Sequence, residues 1–582
     1  MTEYLFLFTI GPVQSFIVQA RKTQDLYAGS FLISRLCGFA AEKLVEGYGG
    51  KIIFPSDIFA ESLPNRFIGK IEADESSLQA IGKEIEKSVR DEFRDIAFKS
   101  LKKYDKDIFK MQIDTFLDIH WVFQPLSDYQ KDYVEIEQIL GSIKNIRTFV
   151  QISETGRKCS LCGERNVLFY RKRESEKWIK DNRPSNKLLP KLLDGKSEIF
   201  EYNDINLNKI IAPGEGLCAI CFTKRNLSEN DFSVKFNDSF PSTSNIALYH
   251  AISQLPEDFK NPNKFDAQGI LALKDGKHLN ETEFEYIEDT CKVYEQLKDK
   301  KIKISDYYAL VMFDGDHMGK WLSGEYIKDK SRLEDFHKEL SRRLTNFGKW
   351  SKEYICGKDD NIEKGHAVYA GGDDFMGFVC LDYLMEVMQK LRDEFDVQVN
   401  EPMHKKFAIG EKLTISAGII IIHYKDPLSE ALKWARKMEH EAKENGGRDA
   451  FAIAVMKHSG EIRKTIWKWN YESGGCSRNS SEVLKDLSNV LHNDKTGFSN
   501  TFIKNLESEF GSMKVVEDGM MKAELKRLLG RSSKITGDRK NKEVKNWSNK
   551  LKELYADSQT GYMESNFFSA LDIVDFIARE TR

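Results

Sequence analysis

Apolar residues recur along this chain with two different periods, and the alternation between them lays out its elements. "EYLFLFTI" (residues 3–10) is almost continuously apolar, as a strand buried on both faces would be. "GPVQSFIVQARKTQDLYAGSFLISRLCGFAAEKLVEGY" follows with helical spacing, and "KIIFPS" is strand-like again. This βαβ-like opening predicts an α/β sandwich over roughly residues 1–150. Residues 75–110 are amphipathic and charged, a helix with one solvated face, and 256–303 are polar, Lys-rich and connecting. "YYALVMFDGDHMGKWLSG" (307–324) reads as a buried strand ending in an acidic turn that leads into a helix. "AVYA" and "FMGFV" flank Gly371-Gly372-Asp373-Asp374 as two strands around a glycine turn. "KLTISAGIIIIHY" predicts another buried strand, and "DPLSEALKWARKMEHEAKENGGRDAFAIAVMKHSG" a helix, turn and strand. From about 461 onward the pattern is mainly helical, with a basic stretch near 522–552 that suits solvated helix faces or contact with a partner or RNA. No short tandem repeat is apparent.

Composition narrows the class. A chain of 582 residues is too long for one core, and its length suggests about three to four domains. With 41% hydrophobic and 31% charged residues it is globular rather than disordered or fibrous. A net charge of −3 exerts no global pull on nucleic acid, so such contacts must be local or come through partners. The apolar start lacks a basic leader and is interrupted by Glu3 and Gly11-Pro12, which argues against a secretory signal. No run of about 18 apolar residues predicts a membrane span. The nine cysteines do not make a disulfide scaffold, and a reducing cytoplasm is expected.

Four of those cysteines come in two tight pairs, Cys159/Cys162 and Cys218/Cys221, separated by 55 residues. Two Cys-x-x-Cys knuckles supply the four thiolates that a structural zinc prefers. So long a separation requires the intervening segment to loop out, and the zinc would staple a loop-rich subdomain. A redox role for either pair lacks a thioredoxin-like context.

The acidic turns carry the catalytic chemistry. Asp373 and Asp374 repel one another unless water or a cation neutralises them. The plain alternative is a solvated turn that happens to be acidic. If "YYALVMF" lies beside the glycine hairpin, Asp314 and Asp316 come off a strand end next to Asp373 and Asp374, although 59 residues separate Asp314 from Asp373. Carboxylates with waters and substrate phosphates are what magnesium requires, and a two-ion site activates a hydroxyl and neutralises leaving pyrophosphate. That is nucleotidyl transfer on a palm-type fold. Lys443 and Arg448, flanking a helix end, are placed to hold β- and γ-phosphates, one as a point charge and one as a fork. Ordinary surface charge is the alternative for both.

In combination these residues resemble a known family. The palm segment is similar to the GGDEF and class III adenylyl cyclase superfamily. It is closer to the large subunit of type III CRISPR effector complexes, in its Cmr-type (subtype III-B) members. The resemblance rests on "DGDHMGKWLSG", "YAGGDD", "SAGIIIIHYKDPL", "AVMKHSGE", the opening "GPVQSFIVQARKTQDLYAGSFLISRL", "FPSTSNIA" and the four cysteines, and covers residues 1 to about 465. It implies an α+β multidomain fold: two ferredoxin-like palms (1–150 and 304–460), a zinc-binding subdomain (151–235), a helical linking region (236–303) and a helical C-terminal domain (461–582). Carried over by motif, Asp314, Asp373 and Asp374 hold magnesium or manganese, and Asp316 either joins them or orients the turn. Gly315, Gly371 and Gly372 admit the nucleotide, and Gln14, Ser15, Arg21 and Ser30 line an acceptor pocket in the first palm. Many members begin with an HD-type nuclease domain; here none of the eleven histidines is followed by Asp, and nuclease activity is not expected.

The implied reaction takes ATP as AMP donor. Another ATP as acceptor leads to cyclic oligoadenylates, whereas S-adenosylmethionine as acceptor, used by similar systems, leads to an AMP conjugate. The implied partners are other Cmr-type subunits and, through them, guide and target RNA, with no membrane. A catalytically silent scaffold and a free-standing cyclase resembling the diguanylate cyclases are the competing classes. The intact carboxylates oppose the first, the cysteine module and N-terminal palm the second.

Overall fold

A computed structural model describes the chain except for residues 147–155, 171–200, 203–210, 228–235, 493–496, 511–517 and 560–565 and a few isolated positions. The segment 171–200, expected to loop out between the cysteine pairs, lies outside the described residues. Two compact units emerge. One comprises Met1–Phe240, Gly319–Thr345 and Lys406–Gly410; the other comprises Pro241–Met318, Asn346–Lys405 and Glu411–Arg582.

In the first unit, strands β1 (Thr2–Gly11), β2 (Lys51–Phe54), β3 (Arg66–Ala73) and β4 (Asp118–Pro125) form an antiparallel sheet in the order β2-β3-β1-β4. Helices α1 (Gln14–Val18) and α2 (Thr23–Tyr48) link β1 to β2, and α3 (Glu75–Lys99) lies between β3 and β4. This is the split βαββαβ arrangement of ferredoxin-like folds. The continuous apolar run of β1 is explained by burial on both faces. Leu5 and Leu7 join Ile68, Val122 and the α4 (Tyr129–Asn145) residues Tyr133, Ile136 and Leu140 on one side. On the other side Phe6 packs against its cross-strand partner Phe123 at 4.5 Å between ring centroids, and Phe8 stacks on Phe67 at 5.3 Å.

In the second unit the same order recurs. Strands β5 (Tyr307–Gly315), β6 (Gly365–Gly371), β7 (Asp374–Cys380) and β8 (Ile415–His423) run β6-β7-β5-β8, and β9 (Ala450–Met456) and β10 (Ile462–Lys468) extend the sheet. Helix α5 (Leu384–Phe395) precedes β8. Every residue of β8 is buried. Helix α6 (Leu428–Glu444) lies against β8 through Leu428, Ala431, Leu432, Ala435, Met438 and Ala442, which recur at helical spacing. The approach is close because Gly418 lacks a side chain: a Cβ there would fall 2.1 Å from the backbone nitrogen of Glu439 and 2.3 Å from the carbonyl of Ala435. Strand β10 departs from the helical reading of the chain after 461. Its residues are exposed at the start and buried only at Thr465, Ile466 and Trp467, an edge-strand pattern. Asn566, opening the C-terminal helix Asn566–Glu580, accepts from Thr465 Oγ1 at 2.8 Å and from the Ile466 amide at 2.7 Å, covering that edge. Beyond β10 the regular elements among the described residues are helices, apart from a small antiparallel pair of Asn470–Ser473 with Cys476–Asn479. Among the described residues no helix is long and apolar enough to cross a membrane.

Candidate active site

Register, not proximity in sequence, assembles the acidic site. Strand β7 pairs antiparallel with β5 so that Asp374 lies directly opposite Asp314, and β6 closes onto β7 with Gly371 opposite Asp374. Only Gly372 and Asp373 connect the two hairpin strands. Gly372 sits at φ +72°, a left-handed first position that tight hairpin turns reserve for glycine. The Gly315 amide donates to the Asp373 carbonyl at 3.0 Å, tying the turn to the end of β5. A Cβ on Gly315 would lie 2.9 Å from that of Asp373, so this contact excludes a side chain. Asp314, Asp373 and Asp374 are all half-buried at one end of the central strands.

The carboxylates are poorly neutralised. Burial and the neighbouring Asp373 raise the Asp314 carboxyl to about 6, against the pull of Lys443. Burial, with Asp314, Asp373 and Glu439, holds Asp374 well above the ordinary carboxylate range, although Tyr369 donates to its Oδ1 at 3.2 Å. Lys443 Nζ contacts Asp314 Oδ2 and donates to Glu439 Oε1 at 2.9 Å. Asp314 and Glu439 together raise the Lys443 ammonium, overcoming the opposite effect of its burial. An ammonium has three donors, and two are committed here, which leaves one for an anionic oxygen. Oxygen ligands with unrelieved repulsion are a donor set that suits a hard divalent cation.

Asp316 stands apart from this cluster. It is 2% exposed, Oδ1 accepts from Ser416 Oγ at 2.8 Å, and Oδ2 accepts from Thr414 Oγ1 at 2.8 Å and from the Asp449 amide at 2.9 Å. Its bonds reach the loop after α6, where Gly447, Arg448 and Asp449 all take positive φ. Arg448 and Asp449 carry Cβ atoms in that region, so the conformation must be imposed by neighbours. Lys468 Nζ donates to the carbonyls of Gly447 and Arg448 at 2.6 Å each, and Arg392 of α5 donates to Asp449 Oδ1 at 2.9 and 3.1 Å. The Arg448 guanidinium is half-buried beside Glu444 at 3.4 Å. Tyr369, Glu439, Arg392, Asp449 and Lys468 carry no local sequence signal, since each looks like an ordinary residue of a periodic segment.

In the first unit, Gln14, Ser15 and Arg21 are exposed around α1, whereas Ser30 is buried in α2. The four cysteines meet there, with their sulfurs all within 4.8 Å of one another. Cys162 and Cys218 are 3.8 Å apart, which matches the edge of about 3.8 Å expected of a tetrahedron with 2.3 Å metal–sulfur bonds. Cys218 and Cys221 belong to a knuckle whose helix, Ala219–Arg225, is anchored to the same region. Buried Arg225 grips Asp25 of α2 through two bonds of 2.7 and 2.8 Å and Glu215 through one of 2.6 Å. Lys224 Nζ donates to the carbonyls of Phe16 and Gln19 at 2.7 and 2.6 Å. The cysteine cluster therefore sets the position of α1 and the start of α2.

Comparison with known families finds two matches. Residues 307–452 match the second palm domain of Cas10/Cmr2, and residues 5–98 match the N-terminal domain of the CRISPR-associated protein Cmr2. Both matches are to Cas10/Cmr2 domains, and together they cover less than half of the chain. Its Cmr-type resemblance is thereby borne out. The Cmr2 subunit of the CRISPR Cmr system of Pyrococcus furiosus is 24% identical over 641 residues, covering 92% of this chain and 70% of that one. A chain of the cryo-EM structure of type III-B Cmr-beta in its apo state superposes with a TM-score of 0.61 at 15% identity, covering 93% of this chain and 78% of its own. In Cmr-beta bound to cognate target RNA the values are 0.64 and 15%, covering 99% and 83%. At such identity these two matches are ones of fold. The Cas10/Cmr2 palm match spans β5 through the start of β9, and so includes Asp314, Asp373, Asp374 and Lys443.

Proposed function

We propose that the chain is the large subunit of a type III-B effector, transferring AMP from ATP to an acceptor hydroxyl to make a signalling nucleotide for antiviral defence, with cyclic oligoadenylate as product. The observation that carries this reading is the register placing Asp314 opposite Asp374, with Asp373 at the adjoining glycine turn. Asp314, Asp373 and Asp374 would hold magnesium or manganese ions, which supply activation of the attacking hydroxyl and neutralisation of the leaving pyrophosphate. Asp316, with both oxygens engaged, braces the turn against the Arg448 loop and is not assigned to metal. Gly371 and Gly372 let the α-phosphate approach a backbone without Cβ atoms. Lys443 offers its third donor, and Arg448 its guanidinium, to the β- and γ-phosphates. In the first unit, Gln14, Ser15 and Arg21 line the acceptor pocket and buried Ser30 supports it, with a structural zinc on the four cysteines fixing α1. Target RNA reaches the enzyme through a guide RNA and other Cmr-type subunits, consistent with a net charge of −3.

The test is mass spectrometry of products from labelled ATP, with and without S-adenosylmethionine, comparing the target-RNA-bound complex with the isolated chain. Adenylate products only in the RNA-bound complex are expected. Robust RNA-independent turnover by the isolated chain would favour a free-standing cyclase, and a conjugate appearing only with S-adenosylmethionine would reassign the acceptor.

The carboxyl shifts give a pH signature. A raised Asp314 binds its proton more tightly in the native than in the unfolded chain. Its effect on stability is therefore unfavourable as pH rises from the unfolded value of about 4 to about 6, and fully present above it. Divalent-cation binding must displace that proton. Apparent magnesium or manganese affinity is expected to fall roughly tenfold or more per pH unit below about 6. Calorimetric titrations at several pH values check this, and a flat profile would contradict the assignment.

A further inference from the structure

The end of the second unit's sheet opposite the acidic turn gathers a different set of groups. His423 is the last residue of β8, and Asp426 follows in a turn closed by its amide donating to the His423 carbonyl at 3.0 Å. His458 lies in the hairpin between β9 and β10. Strands β8 and β9 are parallel, with Ile422 opposite Met456, so both connections leave the sheet at the same end. Gly460 at φ +89° shapes the hairpin, and the His458 amide donates to the Tyr307 hydroxyl at 3.3 Å.

Donor atoms of His423, Asp426 and His458 all lie within 4.8 Å of one another. The two imidazoles stack at 4.4 Å between centroids, an arrangement that disfavours protonating both. Asp426 Oδ1 is 3.0 Å from His458 Nδ1, but its Oδ2 is buried with no hydrogen-bond partner. Next to this group, Asp306 spends Oδ2 on Lys274 at 2.5 Å while its Oδ1 is likewise buried and unpartnered. Tyr424, which follows His423, donates its amide to the Asp306 carbonyl at 2.9 Å, which places the two segments side by side. Buried carboxylate oxygens without a donor are costly, and the usual remedy is a donor or a cation.

We propose that His423, Asp426 and His458 form a second metal site, which takes a borderline divalent cation of the zinc class. Two imidazoles and one carboxylate suit zinc and its neighbours in the first transition row, whereas magnesium and calcium prefer oxygen alone. Three protein ligands leave a fourth position for water or Asp306. The Lys425 amide donates to His423 Nδ1 at 3.1 Å, and an ion on that nitrogen replaces this one bond. The ion clamps the β8–α6 turn to the β9–β10 hairpin. It lies too far away to take part at the acidic turn, because Tyr307 and Asp314 are seven residues apart along β5, about 23 Å at roughly 3.3 Å per residue.

The test uses the full-length, tag-free chain, stripped with chelator and titrated with Zn²⁺ by calorimetry, with bound metal measured after gel filtration. His458 is 59% exposed, so His458→Ala should fold normally, which equal melting in chelator verifies. One zinc equivalent fewer per chain than in the unmodified protein is expected. Residual affinity at the site should fall by more than the roughly 100-fold attached to losing an outer-shell partner. His458→Cys, which keeps a ligand, should restore the equivalent. Because the cysteine cluster is unchanged in all three proteins, the difference between them isolates this site. Equal zinc content in the unmodified chain and His458→Ala would overturn the proposal.

Discussion

Replacing Asp373 and Asp374 together with Ala is expected to abolish nucleotide synthesis in the RNA-bound complex while leaving assembly and RNA binding intact. Metal neutralisation of a triphosphate supplies several kcal/mol, so the loss should be at least about 1,000-fold, or roughly 4 kcal/mol. Stability should hardly fall. Both side chains are half-buried, one in the turn and one at the strand end beside it, and burial with like charge already opposes ionisation of Asp374. The hairpin depends instead on its ladder to β5 and on Gly372 in the left-handed region. Asn at both positions keeps the shape and removes the charge, and should be nearly as inactive. Synthesis retained by the double Ala variant, measured with labelled ATP, would sink the site assignment.

The second large effect concerns the thiolates. Changing Cys159 and Cys162 to Ser should release one equivalent of zinc, and with it the folding free energy that a structural metal contributes. The damage should spread beyond the knuckle, because Arg225 and Lys224 carry its position into α1 and α2. A loss of about 3 kcal/mol in a unit of this size would lower Tm by roughly 6–12 °C. Since Gln14, Ser15 and Arg21 sit on that anchored segment, synthesis should weaken even where the complex still assembles. Metal analysis and differential scanning calorimetry check both parts. Unchanged zinc content in the double Ser variant would remove the cluster as a metal site.

How legible these features are from sequence depends on how locally they are determined. Strands β1, β5 and β8 announce themselves because burial on both faces leaves their runs almost wholly apolar. The glycine turn is equally plain, since its conformation is set by the residue types within it. The cysteine pairs reveal a cluster because each knuckle is local, although their meeting is not. By contrast, the partners of Asp314 and Asp316 come from Lys443 and Asp449, 129 and 133 residues away. Spacing alone cannot distinguish a carboxylate that faces solvent from one whose oxygens are already taken, and Asp314 and Asp316 differ in that respect. Strand β10 escapes the same reading because its charged half faces outward and its cover, Asn566, lies 100 residues further on.

Gly418 gives the active site an unsuspected dependence. It lies at neither the acidic turn nor the Arg448 loop, yet α6 rests on its bare backbone at Ala435 and Glu439, and Lys443 rides on the same helix one turn further on. The height of the helix above the sheet is thus fixed by a missing methyl group. Any side chain at 418 would act as a wedge, lifting α6 and swinging the Lys443 ammonium off Asp314. The balance of charge at the acidic turn is in this sense calibrated from behind, by a position that touches none of its carboxylates.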